Sequence, residues 1–182
     1  MAQHPFQGVT FKDVTRYDKR TLDVVMQHGA TPKGEDLAGW EFRGFNPPVM
    51  AKVLGFQKFM KGFFLERGQL AGYNLFVKNP RGGIERPWRA TKGGGTEARH
   101  GFYDVKPVTP GDRYDEFPNA VFLDYGSGRN SRLNPESQIR DYLVQVDPSN
   151  PDIFLGKAYI ELGPVSVFSN FFVLERIHEA PN

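Results

Sequence analysis

The stretch Leu37-Ala-Gly-Trp-Glu-Phe-Arg-Gly44 predicts a first strand that is marked by glycine and by Trp40. Most of the chain after it reads as strands that carry many phenylalanines and are separated by turns containing glycine or proline. A marked first strand followed by a meander is typical of a small antiparallel barrel, and such a barrel can enclose one small ligand. The expected fold class is therefore mainly β, with a single antiparallel barrel and one or two short helices.

Two helices are expected beside an irregular N-terminal arm over residues 1–19. The segment 21–27 predicts a short helix, with Thr21 as its N-cap and Gly29 as its C-terminal stop. A second helix is predicted over 48–62, because apolar residues recur there every three or four positions. This second helix would cap or flank the mouth of the barrel.

Strands are predicted wherever apolar residues alternate or run together over a short distance. They cover 71–77, 100–108, 120–125, 139–146, 153–162 and 165–177. Residues 84–99 are expected to hold a weak strand and a mobile loop, and 127–137 a polar insertion.

The last two strands carry the clearest patterns. One face of the strand 153–162 is expected to hold Phe154, Ala158, Ile160 and Leu162. The final strand, 165–177, is apolar on both faces. Such a strand has to be covered twice, by the barrel interior on one side and by an outer helix or a dimer partner on the other.

Length and composition limit the class of protein. The 182 residues suit one domain over 1–182, and 16 Phe with seven Tyr indicate an aromatic interior. A net charge of +2 gives no reason to expect a nucleic-acid partner. No apolar run reaches the roughly 20 residues that span a bilayer, and the N-terminus lacks the features of a signal peptide. We therefore expect a cytoplasmic protein.

Cysteine and histidine usage argues against several chemistries. Without Cys, the chain has no disulfide, thiol nucleophile or thiolate metal ligand. The four His show no metal-ligand spacing, so neither a metal nor another cofactor is expected. His100 lies on a predicted strand, where haem ligation and an ordinary hydrogen bond to backbone or solvent are both open.

The first half of the chain resembles the bacterial GXWXG-domain proteins, through Gly39-Trp40, Gly44, Pro48 and Leu54-Gly-Phe-x-Lys58-Phe59. The second half resembles the DUF4334 domain that accompanies them, through Asp124, Ile139-x-Asp141-x-Leu143, Leu155-Gly156 and Phe171-Phe-Val-Leu-x-Arg176. Two features depart from the family pattern: the first glycine directly precedes Trp40, and an insertion separates Asp124 from Ile139. The resemblance implies a lipocalin-like, calycin-type barrel and leaves the activity open.

Two acidic residues, Asp124 and Asp141, interrupt apolar strands, and the resemblance involves the same two positions. A carboxylate inside the barrel would serve as a polar anchor or a general base. A carboxylate outside it would form a turn hydrogen bond or a salt bridge. Together with His100, these two residues are the candidate catalytic residues. The candidate ligand-binding residues are Trp40, Phe59, Tyr103, Tyr142 and Asn170.

A basic and aromatic cluster surrounds Trp88. It consists of Arg81, Arg86, Arg89, Lys92 and Arg99. Single-stranded nucleic acid can bind such a surface, but Glu85 and Glu97 dilute the charge, and a solvated loop is the preferred interpretation.

Three function classes stay open. The first is binding or carriage of a small hydrophobic ligand, such as a fatty acid, an isoprenoid or a pigment-like molecule. The second is an enzyme of the isomerase or cyclase type that uses Asp, His and Tyr as acid and base in the same pocket. The third is a ligand-free interaction module whose last strand mediates self-association, which makes a homodimer possible.

Overall fold

Eight strands form a closed antiparallel barrel within the residues that the computed structural model describes, which are 4–47, 55–91, 98–127, 129–131 and 133–181. The strands are β1 (Trp40–Phe45), β2 (Lys58–Glu66), β3 (Gln69–Leu75), β4 (Arg99–Pro107), β5 (Val121–Asp124), β6 (Ile139–Asp147), β7 (Asn150–Leu162) and β8 (Val165–Glu179). Each strand pairs with its neighbours in sequence, and β8 pairs back with β1 to close the ring. The prediction of a mainly β protein with an antiparallel barrel is confirmed.

Short helices accompany the barrel. They are α1 (Phe11–Val14), α2 (Lys19–His28), α3 (Gly34–Leu37) and the 3₁₀ helix Pro135–Gln138. The helix predicted over 21–27 is confirmed but is longer, because Asp18 and not Thr21 is its N-cap: the Asp18 side chain accepts a hydrogen bond from the Thr21 backbone N–H. Among the described residues, no helix has the length and apolar character needed to cross a bilayer.

The N-terminal segment covers the outer face of the last three strands. Helix α1 packs on β8, and α2 packs on β6 and β7. Val25 of α2 lies in one buried cluster with Val144, Leu155 and Val173 of these strands. An outer helical segment is therefore what covers the second apolar face, and the arm 1–19 is not irregular throughout, because α1 lies within it.

Two polar contacts fasten this segment to the barrel. Ala30, just after α2, exchanges backbone hydrogen bonds of 2.8 and 2.9 Å with Gln145 of β6. The Asp147 side chain at the end of β6 accepts a hydrogen bond of 2.8 Å from the Gly8 backbone N–H. The first contact extends the sheet beside β6, and the second holds the chain before α1.

Aromatic rings fill much of the barrel interior. Phe172 lies over Gly156 on the neighbouring strand, and Tyr103 lies over Gly72 in the same way. A Cβ atom added at either glycine would come within 2.3 Å of the facing ring, so the rings occupy space that only glycine leaves free. The large, fully buried side chains of the interior are Phe42, Phe63, Tyr103, Tyr125 and Phe154.

The helix predicted over 48–62 is wrong where it can be compared, because β2 begins at Lys58; residues 48–54 lie outside the described residues. Both faces of β2 are buried from Met60 to Phe63. In a strand that is apolar on both faces, a helical spacing of three or four arises by coincidence, and periodicity cannot separate the two structures. The other predicted strands keep their order, and β2 is added between β1 and β3.

The predicted inner face of β7 becomes exposed near the end of the strand. Phe154 and Ala158 lie among the buried side chains of the barrel interior, but Ile160 and Leu162 are 37% and 59% exposed. The register with β8 shifts after Ala158, but the extra residue of this bulge is Ser169 on β8, so alternation along β7 continues. Among the described strands, Leu162 and Val165 pair with each other and with no third strand, so the tip of the β7–β8 hairpin extends past the barrel.

The weak strand expected within 84–99 is reduced, in the described part of that segment before β4 begins at Arg99, to one bridge. Ala90 forms this isolated bridge with Val77. Residues 92–97, where the mobile loop was expected, lie outside the described residues.

Candidate functional site

Lys61 of β2 extends into the barrel, where its side chain is only 3% exposed. Its Nζ lies 4.6 Å from the ring centroid of Tyr103, 5.0 Å from that of Tyr125 and 5.1 Å from that of Phe172. Aromatic faces attract a cation, but they offset only part of the hydration that a buried ammonium loses. Lys61 therefore depends on polar partners.

Three polar side chains from other parts of the barrel supply these partners. Lys61 Nζ donates to Asn74 Oδ1 of β3 at 3.0 Å and lies 3.2 Å from Asp141 Oδ2 of β6. The Tyr125 hydroxyl, directly after β5, contacts Lys61 Nζ and donates to Asp141 Oδ2 at 3.2 Å. We call Lys61, Asn74, Tyr125 and Asp141 the interior polar cluster.

Strand alternation and register explain why these side chains meet. Lys61 shares the inner face of β2 with Phe63, and Asp141 shares that of β6 with Leu143. Asn74 is the direct cross-strand partner of Lys61, which places the two side chains next to each other. The cluster is therefore built on regular strands and not on loops.

One buried atom of the cluster has no hydrogen-bond partner among the described residues: Asp141 Oδ1. The other carboxylate oxygen is in contact with both Lys61 and Tyr125. Buried polar atoms are nearly always hydrogen-bonded, and an unpartnered one calls for an explanation. A hydroxyl or an N–H group of a bound molecule is the kind of partner that Asp141 Oδ1 lacks.

Burial changes the ionisation of the cluster. It lowers the pKa of Lys61, although the charge of Asp141 opposes this shift. Burial likewise raises the pKa of Asp141, against the charge and hydrogen bond of Lys61. The pKa of the Tyr125 phenol is raised well above its usual range, again chiefly by burial, so this hydroxyl keeps its proton. The proton affinities of the amine and the carboxylate have thus moved toward each other, which favours proton transfer between them.

A row of aromatic rings connects the cluster with the surface. Phe56 is 38% exposed, and its ring packs edge-on against Phe59 with 6.4 Å between centroids. Phe59 is half-buried and packs edge-on against Phe172 at 5.7 Å. Since Phe172 lies beside Lys61 Nζ, the three packed rings stand in a row between solvent and the amine, and we call this row the apolar route.

Of the two predicted carboxylates, Asp141 lies in the interior and Asp124 does not. Asp124 accepts hydrogen bonds from Lys106 Nζ at 2.9 Å and from the Ser127 backbone N–H at 3.2 Å, and it pairs with Arg140 at 3.4 Å. Burial alone would raise the pKa of Asp124, but hydrogen bonds from Lys106 and Ser127 with the charge of Arg140 hold it below its usual value. Asp124 thus has the turn hydrogen bond and salt bridge of the second alternative.

His100, the third candidate catalytic residue, lies outside the hydrogen bonds of the cluster. Its Nδ1 is 2.7 Å from Glu136 Oε1, and its ring stacks on Phe76 at 3.7 Å between centroids. Burial alone would raise the pKa of Glu136, but the hydrogen bond and charge of His100 lower it overall. His100 and Glu136 form a half-buried pair, and the charge of Glu136 acts on the pKa of Lys61, raising it against the effect of burial.

Three of the five candidate ligand-binding residues are on or near the route to the cluster. Phe59 and Tyr103 lie beside Lys61, with their ring centroids 5.8 and 4.6 Å from Nζ. Asn170 is buried and donates to Asn46 Oδ1 at 3.0 Å. The structure therefore brings Phe59 and Tyr103 next to the interior polar cluster.

The other two candidates lie elsewhere. Trp40 begins β1 at the opposite end of the barrel, where it packs against the apolar side chains of the interior. The guanidinium of Arg176 lies over its ring, 4.6 Å from the ring centroid. Tyr142 is on the outer face of β6 and packs edge-on against Phe117 at 5.2 Å. Neither contacts the interior polar cluster.

The sequence analysis missed Lys61. The incorrect helix over 48–62 included it, and a lysine is unremarkable on the polar side of a helix. The signal was present, because Lys61 is the only charged residue in the run 59–65. In a strand with two apolar faces, a lone charge of this kind marks a buried ionisable group.

Two surface clefts lie away from the interior polar cluster. One, of about 600 Å³, is lined by Gly55, residues 79–83 and Arg86. The other, of about 290 Å³, lies beside Glu66 and Asp104.

The predicted basic cluster contributes Arg81 and Arg86 to the larger cleft. Its tryptophan is not free to stack on a base, since Trp88 Nε1 donates to the Gly44 carbonyl at 3.1 Å and its ring packs against Phe11 and Phe45. These contacts agree with a loop that packs on the barrel better than with a nucleic-acid surface.

Among the described residues, no three His, Asp or Glu side chains are grouped so that they could hold a metal ion. In comparisons with known proteins, no family model and no curated protein matches this chain. The interior polar cluster and the barrel around it are therefore the basis for any statement about function.

Proposed function

We propose that the barrel binds a small, mainly apolar molecule whose polar group completes the interior polar cluster. The observation that carries this proposal is the buried, unpartnered Asp141 Oδ1 beside Lys61 in an aromatic interior. A buried ion pair adds little to stability, because the desolvation of both charges offsets their attraction. Since stability does not explain the pair of Lys61 and Asp141, recognition of a ligand is the role that we assign to it.

The surroundings of the cluster define the chemical class of the ligand. Phe59, Tyr103 and Phe172 supply aromatic contacts for an apolar body. Asp141 Oδ1 can accept one hydrogen bond, whereas the three protons of Lys61 already have acceptors within the interior polar cluster. A fatty alcohol, an isoprenoid alcohol or a fatty acid in its protonated form has this combination of groups. Room for the ligand comes from displacement of Phe59, which is only half-buried and is the most exposed of these three rings.

We also propose that the barrel is of the lipocalin-like type. Eight strands in simple up-and-down order support this, since that order is found in lipocalins. A second support is Trp40 at the start of β1, packed under Arg176 at the end of the barrel away from the cluster. In this arrangement one end is closed, and the ligand enters at the other end past Phe56 and Phe59.

A thermal-shift panel tests ligand binding. Decanoic acid, dodecanol, farnesol and cholesterol are offered to the wild type, to Asp141→Asn and to Asp124→Asn, the matched control on the outer face. A ligand that binds the folded state raises the melting temperature by mass action. We expect at least one compound to stabilise the wild type and Asp124→Asn but not Asp141→Asn. Absence of any shift in the wild type, or equal responses of the two variants, would contradict the proposal.

Self-association is a second candidate, favoured by a separate observation. The β7–β8 hairpin exposes Ile160, Leu162, Val165 and Val167 by 37%, 59%, 56% and 45%. Neighbouring exposed apolar side chains are typical of a protein interface. Sedimentation velocity of the wild type and of Leu162→Lys with Val165→Lys tests this: a dimer that the double substitution converts to monomer supports it, and a monomeric wild type contradicts it.

A further inference from the structure

The interior polar cluster contains a primary amine in an unusual setting. Lys61 Nζ is buried among aromatic rings, yet it lies at the end of the apolar route formed by Phe56, Phe59 and Phe172. A lysine desolvated in a hydrophobic pocket is a recurring form of activated nucleophile toward carbonyl compounds.

We propose that Lys61 forms a reversible imine with the carbonyl carbon of an apolar aldehyde that enters the barrel along this route. The inference rests on the proposed function and narrows its ligand to a carbonyl compound. The aldehyde chain takes the place next to Phe59 and Phe172, and its carbonyl carbon reaches Lys61 Nζ.

The reaction is a condensation that needs no oxidant or reductant. Lys61 first gives one ammonium proton to Asp141 Oδ2, 3.2 Å away. The free amine attacks the carbonyl carbon, a C–N bond forms, and one proton passes from nitrogen to the carbonyl oxygen to give a carbinolamine. The proton held by Asp141 then joins that hydroxyl, which leaves as water, and the nitrogen of the resulting iminium gives its last proton to Asp141. Amine and aldehyde thus become imine and water.

Asp141 and Tyr125 are placed to move these protons. Asp141 Oδ2 touches the amine and receives the hydrogen bond from the Tyr125 hydroxyl, so one carboxylate can take the first proton and return it to the departing hydroxyl. Asp141 Oδ1 has no partner within the described part of the chain and can accept a hydrogen bond from the carbinolamine hydroxyl. The lowered pKa of Lys61 and the raised pKa of Asp141, both caused chiefly by burial, assist the first transfer.

Two other buried lysines provide comparison within the same molecule. Lys58 donates to the Arg86 carbonyl at 2.8 Å and lies outside the barrel over Trp88, and among the described residues none of its hydrogen-bond partners is a carboxylate. Lys157 pairs with Asp23 at 3.0 Å on the outer face under α2. Neither lies on the route through Phe59, so burial alone does not give them the setting of Lys61.

Reductive trapping tests the proposal. The wild-type protein is incubated with decanal or cinnamaldehyde near one equivalent, reduced with sodium cyanoborohydride and analysed by intact mass and peptide mapping. We expect one adduct, on the peptide that contains Lys61, with Lys58 and Lys157 unmodified. Lys61→Arg keeps the positive charge but cannot form the imine, and it should lose the adduct. Asp141→Asn should slow trapping by about 100-fold, the size of a general acid–base contribution.

The outcomes separate this inference from the proposed function. If the label spreads over exposed lysines and Lys61 stays unmodified, the imine is contradicted, although dodecanol can still stabilise the wild type and leave the proposed function standing. If neither decanal nor dodecanol binds, both fail. The position of the adduct is mapped on the wild-type protein. The test therefore remains decisive even if one of the variants does not fold.

Discussion

The ring of Phe172 on β8 lies directly over Gly156 on β7, so that a Cβ atom at position 156 would stand 2.0 Å from Phe172 Cζ. The two residues are direct cross-strand partners, and the ring occupies the volume that a side chain would need. We expect Gly156→Ala to lower the free energy of unfolding by about 1–3 kcal/mol, as overpacking does in cores. Urea denaturation followed by circular dichroism measures it.

Gly34 is the matched control for this change. A Cβ added at Gly34, at the start of α3, meets no atom within 4 Å. Gly34→Ala should therefore leave stability unchanged or raise it slightly. Equal effects of the two substitutions would show that the Phe172 ring moves aside freely.

The strand order was predictable from the sequence because local patterns determined it. Alternation and short apolar runs identified β1 and β3 through β8, and Gly or Pro marked the turns between them. Strand β2 was missed because its two buried faces remove the polar positions that distinguish a strand from a helix. Recognising it requires knowing that an outer layer covers the barrel there.

The candidate site was only partly predictable because it depends on register. Asp124 and Asp141 look alike in sequence, since both interrupt apolar strands. In the folded chain, Asp124 shares its strand face with the outward Phe122, while Asp141 shares its face with the inward Leu143. A shift of one residue exchanges the two faces of a strand, so composition and spacing could not tell these carboxylates apart.

Trp40→Ala should lower the free energy of unfolding by about 3 kcal/mol, near the lower end for loss of a large aromatic side chain from a core. The Trp40 ring is partly buried, packs on the apolar side chains of the barrel interior and lies under the Arg176 guanidinium. Urea denaturation of the purified variant measures the change. An effect of only a few tenths of a kcal/mol would mean that Trp40 does not close its end of the barrel.

Asp147 should make the stability of the protein depend on pH in the acid range. Burial alone would raise the pKa of Asp147, but hydrogen bonds from the Gly8 and Ser149 backbone N–H groups and the Ser149 hydroxyl hold it below its usual value. A carboxyl with a lowered folded-state pKa stabilises the fold fully above its unfolded pKa of about 3.9. That stabilisation is lost as the pH falls through the folded-state pKa.

Comparison of the wild type with Asp147→Asn between neutral pH and the acid limit of folding checks this expectation. The variant should be less stable at neutral pH, and the difference should shrink below about pH 4, where Asp147 of the wild type also becomes protonated. Protease cleavage near Gly8 should become faster in the variant, because the side chain that holds this segment has lost its charge. A difference that stays constant with pH would assign the effect to shape and not to ionisation.

The buried pair of Lys61 and Asp141 should respond to substitution differently from a surface pair. Asp141→Leu and Lys61→Met each leave one buried charge without its counter-charge, and each should cost about 3–5 kcal/mol. The double variant Lys61→Met with Asp141→Leu removes both charges, and it should be close to the wild type in stability or above it. Urea denaturation of the four proteins, read as a double-mutant cycle, gives the coupling between the two positions.

The control for this cycle is the outer pair of Lys106 and Asp124, whose Nζ and Oδ2 atoms are 2.9 Å apart with the lysine side chain 46% exposed. Coupling in that pair should be about 0.2–1 kcal/mol, because solvent screens the attraction. If the double variant at 61 and 141 were instead destabilised by as much as the sum of its single variants, the ion pair would be contributing to folding itself. Its presence in the barrel would then no longer argue for a bound ligand. A double variant that folds stably, but neither binds the ligands of the thermal-shift panel nor forms an adduct with decanal, would show that the two charges serve the ligand and not the fold.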